Sequence, residues 1–83
     1  VVTFDWENVP VESVRGIAGL APVFPPPPAL ERSQDRLVEK TLFRDLGIPT
    51  PPFAPVDLRS DLDAAIERIG LPGILKTRRM GYD

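Results

Sequence analysis

The stretch Ser60-Asp61-Leu62-Asp63-Ala64-Ala65-Ile66-Glu67-Arg68-Ile69-Gly70-Leu71-Pro72-Gly73-Ile74-Leu75-Lys76-Thr77 switches its periodicity partway along. Leu62, Ala65, Ile66 and Ile69 recur at the spacing of one helix face. Ser60 is placed to cap that helix, and Asp63 stands where a capping box puts its acid. Gly70 offers a C-terminal cap and Pro72 a stop. From Gly73 to Thr77 the period becomes two, with Ile74 and Lys76 on one face and Leu75 and Thr77 on the other, which reads as a strand. Helix followed by strand is half of an α/β unit.

The same alternation extends backwards. Ala29 to Leu46 reads as a long helix broken near Ser33, with Val38, Leu42, Phe43 and Leu46 on one side. Leu37 and Glu39 make that stripe imperfect, and Gly47 with Pro49 ends it. Phe53 to Val56 is extended. The prolines at 25 to 28 read as an extended linker, with a Pro-rich recognition motif as the alternative. Val11, Val14, Ala18 and Ala21, with Ile17 beside them, form an apolar helical stripe that Asn8 is placed to cap and Pro10 to start. Val1 to Trp6 is β-prone, and Pro22 to Phe24 is a short extended element. The expected fold class is α/β, with a hinge near residues 22 to 28 separating parts of two domains.

Bulk composition excludes several kinds of chemistry. The chain has 83 residues, no Cys and no His. Cys nucleophiles, Ser-His-Asp triads and zinc sites built on Cys or His are therefore absent. Net charge is −2, which is no footprint for nucleic acid. No apolar run approaches the roughly 20 residues of a membrane span. The sequence begins inside a β-prone run without Met and ends at Gly81-Tyr82-Asp83, so both ends read as cuts through structure.

Candidate chemistry gathers at the C-terminal end, where Lys76, Arg78 and Arg79 form the one basic cluster. A Lys on a strand beside a Gly-containing turn suits a phosphate: the ammonium is a point charge, and the turn lets backbone N–H groups approach. The spaced glycines of a Walker A loop and the Gly-x-Gly-x-x-Gly pattern are missing. The residues alone favour the plainer reading, a solvated strand end with ordinary basic residues.

Longer motifs add to this reading. Asp35-Arg36-Leu37 with Lys40, then Leu46-Gly47-Ile48-Pro49-Thr50-Pro51, precedes Gly70-Leu71-Pro72-Gly73-Ile74-Leu75-Lys76. That order resembles the start of an ATP-grasp domain, whose strand Lys meets ATP phosphates. The closing Lys76-Thr77-Arg78-Arg79-Met80-Gly81-Tyr82-Asp83 narrows the resemblance. It is similar to the Lys-x-Arg-x-x-Gly-Tyr-Asp loop of the 5-(carboxyamino)imidazole ribonucleotide synthase family. Val2-Thr3-Phe4-Asp5-Trp6-Glu7-Asn8-Val9-Pro10 resembles the last strand of the preceding nucleotide-fold domain in that family, with Asp5 in place of a Glu.

The resemblance implies the end of a Rossmann-like pre-ATP-grasp domain with its linker over residues 1–28, and the first part of an ATP-grasp domain over 29–83. It implies ATP contacts at Arg36, Lys76, Gly81, Tyr82 and Asp83, and ribonucleotide contacts at Glu7, Asp5, Tyr82 and Asp83. Without it, Arg36 reads as a helix-surface Arg, and Asp5 with Glu7 as an acidic pair on an edge strand. The implied parent is a cytoplasmic ligase of purine biosynthesis, homodimeric in some relatives. It carboxylates 5-aminoimidazole ribonucleotide using ATP and bicarbonate, with Mg²⁺ held by residues beyond this chain. A segment holding the strand Lys and only the root of the lid is expected to be inactive alone. Another ATP-grasp ligase with a different acceptor and a non-catalytic Pro-rich interaction module are the alternatives.

Overall fold

The computed structural model describes residues 1–81. Four helices form: α1 (Val11–Ala18), α2 (Pro27–Gln34), α3 (Arg36–Asp45) and α4 (Arg59–Ile69). The core is small and lies towards the N-terminus. Val14 of α1, Val23 and Leu30 of α2 are buried together, with Val2, Phe4, Val9 and Val11 packed against them. Of the α1 stripe read from the sequence, Val14 is buried and Val11 packs beside it, whereas Ile17 and Ala18 are exposed.

The strands expected at Val1–Trp6 and Gly73–Thr77 do not form among the described residues. What remains of pairing is one parallel bridge between Val2 and Val23. Val2 N–H donates to Pro22 O at 2.8 Å, and Phe24 N–H donates to Val2 O at 3.0 Å. Two parallel segments joined through a helix are a βαβ crossover, here reduced to a single rung. The physical reason for the missing strands is that a ladder needs a neighbour, whatever the propensity of the strand itself. Ile74 is 84% exposed and Leu75 69%, so this segment has its strand-like pattern without a sheet to bury it.

Helix ends show where side chains and prolines override simple caps. Helix α1 has Pro10 at its N-cap, and no side chain caps it, so Asn8 does not take that role. In the proline run, Pro26 keeps extended angles while Pro27 and Pro28 form the first turn of α2. Proline suits that turn, because its missing N–H would have no intrahelical partner there. The run is therefore half linker and half helix start, and not a free polyproline segment. The long helix breaks at Asp35, two residues after Ser33.

Helix α3 closes as expected. Gly47 has φ +74°, Gly47 N–H donates to Arg44 O, and Ile48 N–H donates to Phe43 O. That is a Schellman motif, in which Gly takes the left-handed position without a Cβ penalty. Helix α4 starts at Arg59 with Leu58 at its N-cap, so the cap lies before the expected Ser60. The acid that serves it is Asp61, not Asp63: its carboxylate accepts from Leu58 N–H at 2.9 Å and Asp57 N–H at 3.0 Å.

Helices α1 and α2 pack together, as do α2 and α3, while α4 packs on none of the others. The radius of gyration is 15.8 Å. A compact chain of this length would have about 12 Å. The molecule is accordingly extended, 48 × 27 × 20 Å.

Candidate functional site

The break between α2 and α3 places two consecutive polar side chains inside the structure. Gln34 is 8% exposed and Asp35 5%. Buried polar groups have to find partners, and both do so across long sequence separations.

Asp35 serves two partners at once. Its Oδ1 accepts from Leu37 N–H at 2.9 Å and Val38 N–H at 3.3 Å, which caps α3. The same carboxylate receives Arg78 in a fork, from Nε at 3.2 Å to Oδ1 and from Nη2 at 2.8 Å to Oδ2. Two parallel charge-assisted bonds fix orientation as well as distance. Arg79 Nε adds a charge at 3.6 Å. A backbone bond joins the same segments, since Arg36 N–H donates to Arg78 O at 2.8 Å. The Arg78 fork holds the Asp35 carboxyl below its ordinary range, and the Val38 and Leu37 N–H groups act in the same direction against the effect of burial. Asp35 in turn raises the Arg78 guanidinium further above its usual value.

Gln34 faces the N-terminal segment. Its Nε2 donates to Glu7 O at 3.0 Å and Val9 O at 2.6 Å. Its Oε1 accepts from Arg79 Nη1 at 3.0 Å. The 7–9 turn, the α2–α3 break and the 78–81 segment are thus tied to one point.

Beside this junction lies a polar groove of about 130 Å³. Glu7, Arg36, Arg78, Arg79 and Gly81 contribute to its lining. Gly81 lies close against the Arg36 guanidinium: a Cβ there would stand 3.3 Å from Nη2 and 3.0 Å from Thr77 Oγ1. Met80 turns the chain into this position with φ +61°.

The groove gathers Glu7, Arg36 and Gly81 from the residues singled out in the sequence. Asp5 and Lys76 are exposed and do not line it. Tyr82 and Asp83 lie outside the described residues. Sequence reasoning missed Gln34 and Asp35 as site-forming residues, and it took Arg78 and Arg79 only as members of a basic cluster. A polar pair at the break of an otherwise periodic helix was the available signal for Gln34 and Asp35. Among the described residues, no three or more carboxylates gather into a group that could hold a metal ion.

A scan of protein-family models finds no match. Individual proteins do match along the whole chain. A Pseudomonas aeruginosa N5-carboxyaminoimidazole ribonucleotide synthase is 52% identical over all 83 residues, which span 23% of that protein. A bifunctional purine synthesis protein of Dictyostelium discoideum is 48% identical over the same residues, 8% of its length. The crystal structure of the N5-carboxyaminoimidazole ribonucleotide synthetase of Thermus thermophilus superposes with a TM-score of 0.87. That match has 57% identity, over 93% of this chain and 21% of that one. These likenesses run along nearly all of this chain and along a quarter or less of each relative. The chain is a homologue of one segment of the N5-carboxyaminoimidazole ribonucleotide synthases, as the Lys76 to Asp83 motif led us to expect. The chain spans about a quarter of the length of the Pseudomonas relative.

Proposed function

We propose that this chain supplies the first wall of the nucleotide site in a ligase that carboxylates 5-aminoimidazole ribonucleotide. ATP phosphorylates bicarbonate to carboxyphosphate. The exocyclic amine of the ribonucleotide then attacks the carboxyl carbon, with release of phosphate and a proton, and ADP leaves. The observation that carries this reading is the groove, where Glu7 from the N-terminal segment meets Arg36 and Gly81 from the C-terminal one.

Phosphoryl transfer demands positioned cations, and a guanidinium beside backbone N–H groups suits phosphate oxygens. Arg36 at the head of α3 and the backbone at Gly81 supply that combination. Lys76, Tyr82 and Asp83 are assigned further ATP contacts on the strength of the family resemblance alone. Glu7, with Asp5 near it, faces the ribonucleotide. Mg²⁺ would neutralise charge on the transferring group, held by acidic residues beyond this chain. Residues 1–28 close a nucleotide-fold domain and residues 29–83 open the ATP-grasp domain. The whole protein, on this reading, is a cytoplasmic enzyme acting on small molecules and homodimeric at full length. No helix among the described residues is long and apolar enough to cross a membrane.

The test is a transplant. A full-length Pseudomonas aeruginosa synthase carrying these 83 residues in place of its own segment should turn over ATP only when both bicarbonate and 5-aminoimidazole ribonucleotide are present. Turnover that ignores the aminoimidazole, or needs a different acceptor, would overturn the assignment. The isolated chain should show no such turnover.

The alternative of a Pro-rich interaction module loses its physical basis, because Pro27 and Pro28 are built into α2.

A further inference from the structure

We infer that the consecutive residues Gln34 and Asp35 form a positioning joint that sets the two halves of the groove separately. Gln34 places the ribonucleotide side and Asp35 the phosphate side. The inference rests on the reading of the groove given above and adds to it a division of labour.

The geometry carries the division. Gln34 Nε2 bonds to the carbonyls of Glu7 and Val9, so it fixes the turn that presents the Glu7 side chain. Asp35 serves α3 and the 78–81 segment. It caps α3, whose first residue is Arg36, and it grips Arg78, three residues before Gly81. Arg36 N–H donating to Arg78 O closes this second ring. Arg79 links the two, through Gln34 Oε1 at 3.0 Å and Asp35 Oδ2 at 3.6 Å. Both side chains are buried at the point where α2 stops, so neither can be displaced by water without cost.

Neither residue touches a reacting group in this scheme. Each acts through another residue, and each therefore affects the binding of one substrate. Small displacements of a substrate-holding group are expensive, on the order of a hundredfold for an ångström.

Substitutions in the full-length synthase carrying these residues distinguish this from a merely structural role. Asp35→Asn is the informative change, since it keeps an oxygen to cap α3 while replacing the acceptor for the Arg78 fork. It should raise KM for ATP about tenfold with KM for 5-aminoimidazole ribonucleotide unchanged. Gln34→Met removes the bonds to residues 7 and 9, and the one from Arg79, at similar volume, and should raise KM for 5-aminoimidazole ribonucleotide about tenfold with the smaller change in KM for ATP. Arg78→Lys should fall between wild type and Asp35→Asn, because a single ammonium cannot reproduce the fork. Glu31→Gln, in an exposed pair with Arg15, should leave both KM values alone. Equal changes in both KM values for Asp35→Asn and Gln34→Met, or a loss of kcat alone, would overturn the joint.

Amide hydrogen exchange supplies a readout independent of activity. Asp35→Asn should speed exchange at Arg36 while leaving Val9 unchanged, and unchanged exchange at Arg36 would also overturn the proposal. Absence of turnover in the unsubstituted transplant would be failure of the functional reading, and exchange would still decide the joint.

Discussion

Residues 1–34 and residues 47–77 have similar shares of apolar side chains but bury them very differently. In the first region α1, α2 and the Val2–Val23 bridge enclose Val14, Val23 and Leu30. In the second, α4 buries Ala65 alone, and Leu71, Ile74 and Leu75 are exposed. The first region contains a nearly complete supersecondary unit, a segment–helix–segment crossover with a second helix laid upon it. The second contains a helix that packs on no other helix and an extended segment whose apolar side chains are exposed. Burial is a property of pairs of surfaces, and a pattern by itself supplies only one.

The largest expected effect breaks the better-packed region. Leu30→Ala should cost about 2–3 kcal/mol, at the low end for a buried Leu because the core is small. The fluorescence of Trp6, the only Trp in the chain, during urea unfolding measures it. Next is the junction between the regions: Asp35→Ala, losing the cap on α3, should cost about 1 kcal/mol from the cap alone.

The same side chain makes a pH prediction. Its carboxyl is held below the ordinary value in the folded state, so its contribution is present above about pH 4 and is lost as pH falls through the folded value. An acid titration of stability should therefore show a drop below about pH 4 that Asp35→Asn lacks. The smallest effect belongs to the second region. Leu75→Ala should leave the unfolding curve of the isolated chain unchanged, yet destabilise a full-length synthase carrying the segment. If Leu75→Ala were equally costly in both, the contrast between the regions would be wrong.

Much of the local structure was legible because it is decided locally. The stripe on α1, the Gly47 stop, and the helix that ends at Gly70 follow from spacing and from backbone angles that few residues adopt. Misreadings arose where two local candidates competed. Asp61 and not Asp63 serves α4, because the helix starts at Arg59 rather than after Ser60. Pro27 and Pro28 read as linker, but proline is also a good first-turn residue, and packing of Leu30 on the core settles the matter in favour of helix.

The site was legible in a different way. Glu7, Arg36 and Gly81 came from motif resemblance, and the fold brings them to one groove. Gln34 and Asp35 were not found, since the partners that tie them to other segments lie 25 to 45 positions away and no short pattern records such a pairing.

By itself, then, the sequence determined the helices, their glycine stops and the motif that ties the chain to the ribonucleotide synthases. These depend on side-chain spacing, backbone sterics and residue identity, all present along the chain. Only the tertiary structure decided that the β-prone N-terminal segment pairs through a single rung, and that Gln34 and Asp35 bind three segments into one groove. Those outcomes depend on which distant groups arrive within hydrogen-bonding distance, and a linear pattern does not contain that distance.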